Sequence, residues 1–121
     1  LPPGIYGLSN ATLDTPWPKV VLGKAKLLAL LETGPMSHRA LADVVSSQQL
    51  ADQNSLIAQG LDSTMESTLS PQFIVTDTYG TRSSTTLWFD AQAQASWLEQ
   101  SFNAQGVLQE VQHKEMRLSD R

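Results

Sequence analysis

The stretch Ser84–Met116, STTLWFDAQAQASWLEQSFNAQGVLQEVQHKEM, decides the fold. Three β-rich runs are separated by two short polar turns. Ser84–Asp90 ends in Leu87-Trp88-Phe89, and Asp90–Gln94 is a turn. Ala95–Phe102 alternates, with Leu98 and Phe102 on one side. Asn103–Gly106 turns again, and Val107–Met116 reads as a last strand with Val107, Val111 and Met116 inward. Alternation broken by Asn, Asp and Gly is the pattern of an antiparallel meander. Upstream, Phe73–Tyr79 alternates as well. With Tyr79-Gly80-Thr81 as a turn, it is expected to form a hairpin with Ser84–Asp90.

Towards the N-terminus, Pro16 or Pro18 suits the first turn of a helix that runs to about Glu32, with Asp14 or Thr15 as its cap. Trp17, Val20, Val21, Leu27, Leu28 and Leu31 share one side at helical spacing, and Lys19 and Lys26 lie on the other. Gly34-Pro35 stops it. Ser37 can cap a shorter helix over His38–Ser47, with Leu41, Val44 and Val45 buried. Gln48–Ser70 reads as loop with a short helix near Ser63–Leu69, pinned by Leu56, Ile57, Leu61 and Met65. Ile5–Ser9 reads as a short strand, and Leu118–Arg121 as a frayed tail. The fold class is therefore α+β, a four- or five-stranded antiparallel sheet with helices packed on one face. The uncovered face suggests that a further layer belongs there.

The chain has 121 residues, room for one domain portion. Its net charge of -4, with Lys and Arg scattered, argues against a nucleic-acid partner, which needs a basic stripe. No apolar run nears the ~20 residues of a transmembrane segment. The absence of cysteine excludes disulfides and thiolate chemistry within this chain and agrees with a cytoplasmic setting. The start, Leu1-Pro2-Pro3-Gly4, reads either as a cut from a longer chain or as a complete protein after tag removal.

Templates for phosphate, dinucleotide and metalloprotease chemistry are missing. His38 and His113 stand far apart with no ligand spacing, so the sequence points to no metal site. Two segments are denser than folding requires. In the first, Asn10 ends an expected strand, where its amide could donate to a developing oxyanion, and Asp14 follows. In the second, Arg82 lies on a polar turn beside Thr81, Ser83 and Ser84, where a guanidinium can hold a carboxylate or orient a catalytic group. The plainer alternatives are an Asx-turn for Asn10, a cap for Asp14 and a surface charge for Arg82.

GIYGLSNATLDTPWPKV (Gly4–Val20) and LSPQFIVTDTYGTRSSTTL (Leu69–Leu87) resemble, in order and separation, the two signatures of the NRDE, or transport and Golgi organisation 2, family. Between them, Gly60-Leu61-Asp62 onward matches only loosely. The resemblance implies the C-terminal part of an N-terminal-nucleophile hydrolase-like sandwich, two stacked antiparallel sheets between helical layers. It implies a full-length protein that begins Met-Cys, with the cysteine as nucleophile, and an N-terminal portion as this chain's partner. Both the Met-Cys start and the Asn-Arg-Asp-Glu motif lie outside this sequence. By position Asn10 resembles an oxyanion-hole residue of related acylases, Arg82 a late arginine near the nucleophile, and Asp14 an orienting or capping group. The resemblance also implies haem or hydrophobic-cofactor handling and trafficking. Of this chain's residues only the two histidines, the methionines and the tyrosines could ligate haem iron, and none has a telling context.

Overall fold

The computed structural model describes residues 1–58 and 64–119. Among these residues four helices precede three strands: α1 (Pro18–Thr33), α2 (His38–Val44), α3 (Gln53–Ala58), α4 (Thr64–Thr68), β1 (Ser83–Phe89), β2 (Gln94–Phe102) and β3 (Leu108–Arg117). The strands form one antiparallel sheet in the order β1-β2-β3. The architecture is α+β, as the meander predicts, and fits part of an N-terminal-nucleophile hydrolase-like fold.

Turn chemistry sets the register. At the first turn the Asp90 carboxylate accepts from the Gln92 and Gln94 amides at 2.9 and 3.0 Å, and Ala93 adopts φ 60°. At the second, the Asn103 side chain accepts from the Gln105 and Val107 amides, both at 2.9 Å. Gly106 there has φ +75°, and a Cβ would meet Val75 at 2.8 Å, so glycine suits the position twice over. The resulting pairing sets Thr86 opposite Leu98, Leu98 opposite His113, and Ser96 between Trp88 and Glu115. These side chains share one face, since strand residues alternate. Helix α2 packs against β1, and α1 against α2.

The strand expected at Phe73–Tyr79 does not form, so the sheet has three strands and not four or five. Thr76 and Tyr79 close a tight local turn through the Thr76 hydroxyl and both backbones. Only an isolated Val75–Gly80 bridge remains, and β1 pairs with β2 alone. Nor is Ile5–Ser9 a strand: the Gly7 backbone is engaged by Asp14 instead. No side chain caps α1, whose N-cap is Trp17, so neither Asp14 nor Thr15 serves there. Ser37 does cap α2, accepting from the Ala40 amide at 3.0 Å.

Among the described residues the buried apolar core consists of Val20, Val44, Leu56, Phe73 and Ala95. Val45, Val107, Val111 and Met116, read as inward, are exposed, as are Val21, Leu28, Leu31 and Ile57. Lys19, placed on the outer side of α1, instead turns inward and donates to the Leu69 carbonyl at 3.1 Å. Leu61 and the Met65 side chain lie outside what is described, as does the end of the expected frayed tail. No helix among the described residues is long and apolar enough to cross a membrane.

Candidate functional site

The first signature segment is clasped onto itself. Gly7 N–H donates to the Asp14 carboxylate at 2.7 Å, and Asp14 N–H donates back to the Gly7 carbonyl at 2.7 Å. Asp14 sits at φ 59° and also pairs with Lys24 of α1 at 3.1 Å. The Gly7 amide, and then Lys24, hold its carboxyl below the usual carboxylate range. The clasp presses the segment onto α1 so closely that a Cβ on Gly7 would lie 2.6 Å from Val20 Cγ1.

Between segment and helix lies a pocket of about 400 Å³. Its apolar wall includes Ile5, Val20, Leu27 and Val44, and Lys19 and Lys24 also line it. Burial pushes the Lys19 ammonium below its ordinary pKa. The Tyr6 hydroxyl, on the same wall, donates to the Pro2 carbonyl at 2.7 Å. Asp14→Ala removes the acceptor for Gly7 and the partner of Lys24. It is expected to lower the thermal midpoint and loosen residues 5–9, whereas Asp14→Asn, which keeps an oxygen for Gly7, loses less; thermal unfolding of the pair measures the difference.

On the other side of Lys19 is a smaller depression of about 130 Å³, lined by Asn10, Trp17, Lys19, Leu56 and Leu69 among others. Asn10 is exposed and has φ 27°, a region that side chains other than glycine seldom occupy. Arg82 is exposed just before β1, where its carbonyl accepts from Phe102 N–H at 2.8 Å. It does not line the Asn10 depression. Of the three residues singled out in the sequence, Asp14 is built into the clasp, Asn10 lines the neighbouring depression, and Arg82 lies just before β1.

A second cluster was not legible in the sequence. His38, at the start of α2, stacks on Trp88 with ring centroids 4.1 Å apart. Its Nδ1 lies 2.6 Å from Thr86 Oγ1 and its Nε2 2.7 Å from Ser96 Oγ. The Ser96 hydroxyl donates to Glu115 at 2.5 Å, and His113 Nε2 lies 2.7 Å from the same carboxylate oxygen. Since the one Ser96 proton goes to Glu115, Nε2–H of His38 donates to Ser96 and Nδ1 accepts from Thr86. Ser96 is buried and its proton faces a carboxylate, so it is no exposed nucleophile. The readable trace was His113 and Glu115 two apart on a strand, hence on one face; His38 joins them only through the packing of α2.

Burial and the neighbouring His113 push the His38 pKa down, and Glu115 opposes them. The Ser96 hydroxyl, above all, holds the Glu115 carboxyl down. Asp14, His38 and Glu115, whose pKa values are all lowered, take up protons more readily unfolded than folded. Their stabilisation is whole above the unfolded values and is lost as pH falls. Stability is therefore expected to decline from about pH 6.5, where an unfolded histidine titrates, and again from about pH 4. Urea unfolding between pH 8 and 3.5 checks this, and His38→Gln is expected to flatten the upper step alone.

The family model described as Transport and Golgi organisation 2 matches residues 1–104. The Transport and Golgi organization protein 2 homolog of Bos taurus is 35% identical over 112 residues, covering 84% of this chain. The Mus musculus homolog is 33% identical and the Homo sapiens homolog 31%, with the same share of the chain covered. The chain spans 40% of the length of each of these relatives.

Proposed function

The chain belongs to the Transport and Golgi organisation 2 family, and on that premise we propose that its first signature segment walls a binding site for an amphipathic ligand with an apolar body and carboxylate groups. Haem, the cofactor implied by the family resemblance, is of this class. The observation that carries the reading is the pocket itself: signature residues Ile5–Ser9 form one wall of a mostly apolar pocket that two lysines also line. Lysine side chains in the wall of a mostly apolar pocket suit an anionic amphiphile. Lys24, oriented by Asp14, would receive a carboxylate, while Val20, Leu27 and Val44 would take the apolar body. No histidine or methionine lines the pocket, and the Tyr6 hydroxyl is already engaged. The residues thus fit a porphyrin's body and a carboxylate, and they supply no ready axial ligand.

The N-terminal portion of the same protein is the partner expected to complete the site. Leu87, Phe89 and Met116, exposed on the sheet face opposite His113, are apolar surface that such a portion could cover. Titrating haem into the full-length protein and following its absorbance tests the reading. Saturable binding, weakened tenfold or more by Lys24→Glu, is the expected result; no binding, or binding indifferent to Lys24→Glu, overturns it.

A second reading rests on Asn10. Backbone strain gathers at functional positions, and its φ of 27° beside a depression suits a placed amide. In that reading a cysteine of the N-terminal portion is the nucleophile of an acyl-amide hydrolase. Asn10 would stabilise the oxyanion, Arg82 would bind or orient, and Asp14 would hold the loop. Cleavage of a simple acyl-amide by the full-length protein, abolished by Asn10→Ala, would favour it over ligand binding.

A further inference from the structure

From the cluster beneath α2 we propose that His38, His113 and Glu115 form a three-ligand site for a divalent first-row metal ion, zinc foremost, with water in the fourth position. One ligand atom from each of the three lies within 4.8 Å of the others. Tetrahedral ligands at ~2.0 Å from zinc lie about 3.3 Å from one another, so modest side-chain rotations close the site. His113 and Glu115 are exposed enough to make them, with side-chain exposures of 49% and 58%.

The fixed member is His38. Its ring stacks on Trp88, inclined by 28°, and lies between two hydroxyls. One of these, Thr86 Oγ1, can accept from Nδ1–H while its own proton turns to the Leu98 carbonyl, 3.5 Å away. That tautomer frees the Nε2 lone pair towards Ser96, His113 and Glu115. A histidine whose second nitrogen donates to a fixed oxygen is the usual arrangement of an imidazole ligand. The ring's one proton passes from Nε2 to Nδ1, so a metal entering at Nε2 displaces no net proton from His38, and the Ser96 hydroxyl can remain on the Glu115 carboxylate.

Two imidazoles, one carboxylate and no thiolate suit zinc with an open position, and disfavour calcium and magnesium, which want oxygen donors. The site is separate from the signature pocket, whose lining includes none of its three residues. It therefore stands or falls independently of haem binding.

The test uses tag-free full-length protein at pH 7.5, with Zn2+ followed by calorimetry and Co2+ by visible absorption. One equivalent of Zn2+ is expected to bind, and Co2+ to give the intense visible bands of a tetrahedral site. His113→Ala and Glu115→Gln, both at exposed positions, are each expected to weaken Zn2+ binding tenfold or more with the far-UV circular dichroism unchanged. Absence of saturable Zn2+ binding, or affinity unmoved by both substitutions, overturns the proposal.

Discussion

Gly7→Ala is expected to destabilise the protein by about 1–3 kcal/mol, the usual cost of forcing one extra carbon into a packed contact. The new Cβ would lie 2.6 Å from Val20 Cγ1, and Val20 is 7% exposed and has no flexible end to swing aside. Relief would have to come from the segment lifting off α1, which strains the paired Gly7–Asp14 hydrogen bonds. A double-mutant cycle isolates the cause. Val20→Ala removes the Cγ1 that the new Cβ meets, so Gly7→Ala should cost clearly less in that background than in the wild type. Additive losses in urea unfolding would mean that the contact with Val20 is not what restricts the position.

Leu56→Ala is expected to cost more, about 2–5 kcal/mol, as truncation of a fully buried leucine does. Leu56 is 2% exposed, the most buried large side chain among the described residues. Helix α3 has six residues, too few to be stable by itself, and its attachment depends on this side chain. Leu56 also lines the Asn10 depression with Trp17 and Lys19, so its loss should enlarge that depression as well. A fall in the urea midpoint at unchanged slope is the expected observation. A change below 1 kcal/mol, on the scale of an exposed position, would place Leu56 outside the core.

The sheet was legible where turn residues announced it. Asp90 and Asn103 each bind two amides downstream, and such local chemistry survives any tertiary context. Helices α1 and α2 were legible for similar reasons, in the proline at the first turn and the Ser37 cap. The failures came where side chains competed for the backbone. Ile5–Ser9 alternates like a strand, but the Asp14 carboxylate takes the Gly7 amide; Phe73–Tyr79 alternates too, but Thr76 folds it back on Tyr79. Periodicity alone puts Lys19 outward, because the sequence does not show that α1 is also approached from the Leu69 side.

Site residues divided along the same line. Asp14 and Asn10 could be found because the signature segment is contiguous. The cluster of His38, His113 and Glu115 could not, because 75 residues separate its histidines (113 minus 38) and only α2 lying over the sheet unites them.

The most direct test of the signature pocket is to map where ligand contacts the full-length protein. Tin protoporphyrin, a diamagnetic haem analogue, is titrated into isotopically labelled protein and backbone amide shifts are followed. If the pocket binds such ligands, the amides of Gly7, Val20, Gly23 and Lys24 shift together and saturate. If the shifts gather elsewhere, or none appears at saturating ligand, the pocket is part of the scaffold and the binding reading is wrong.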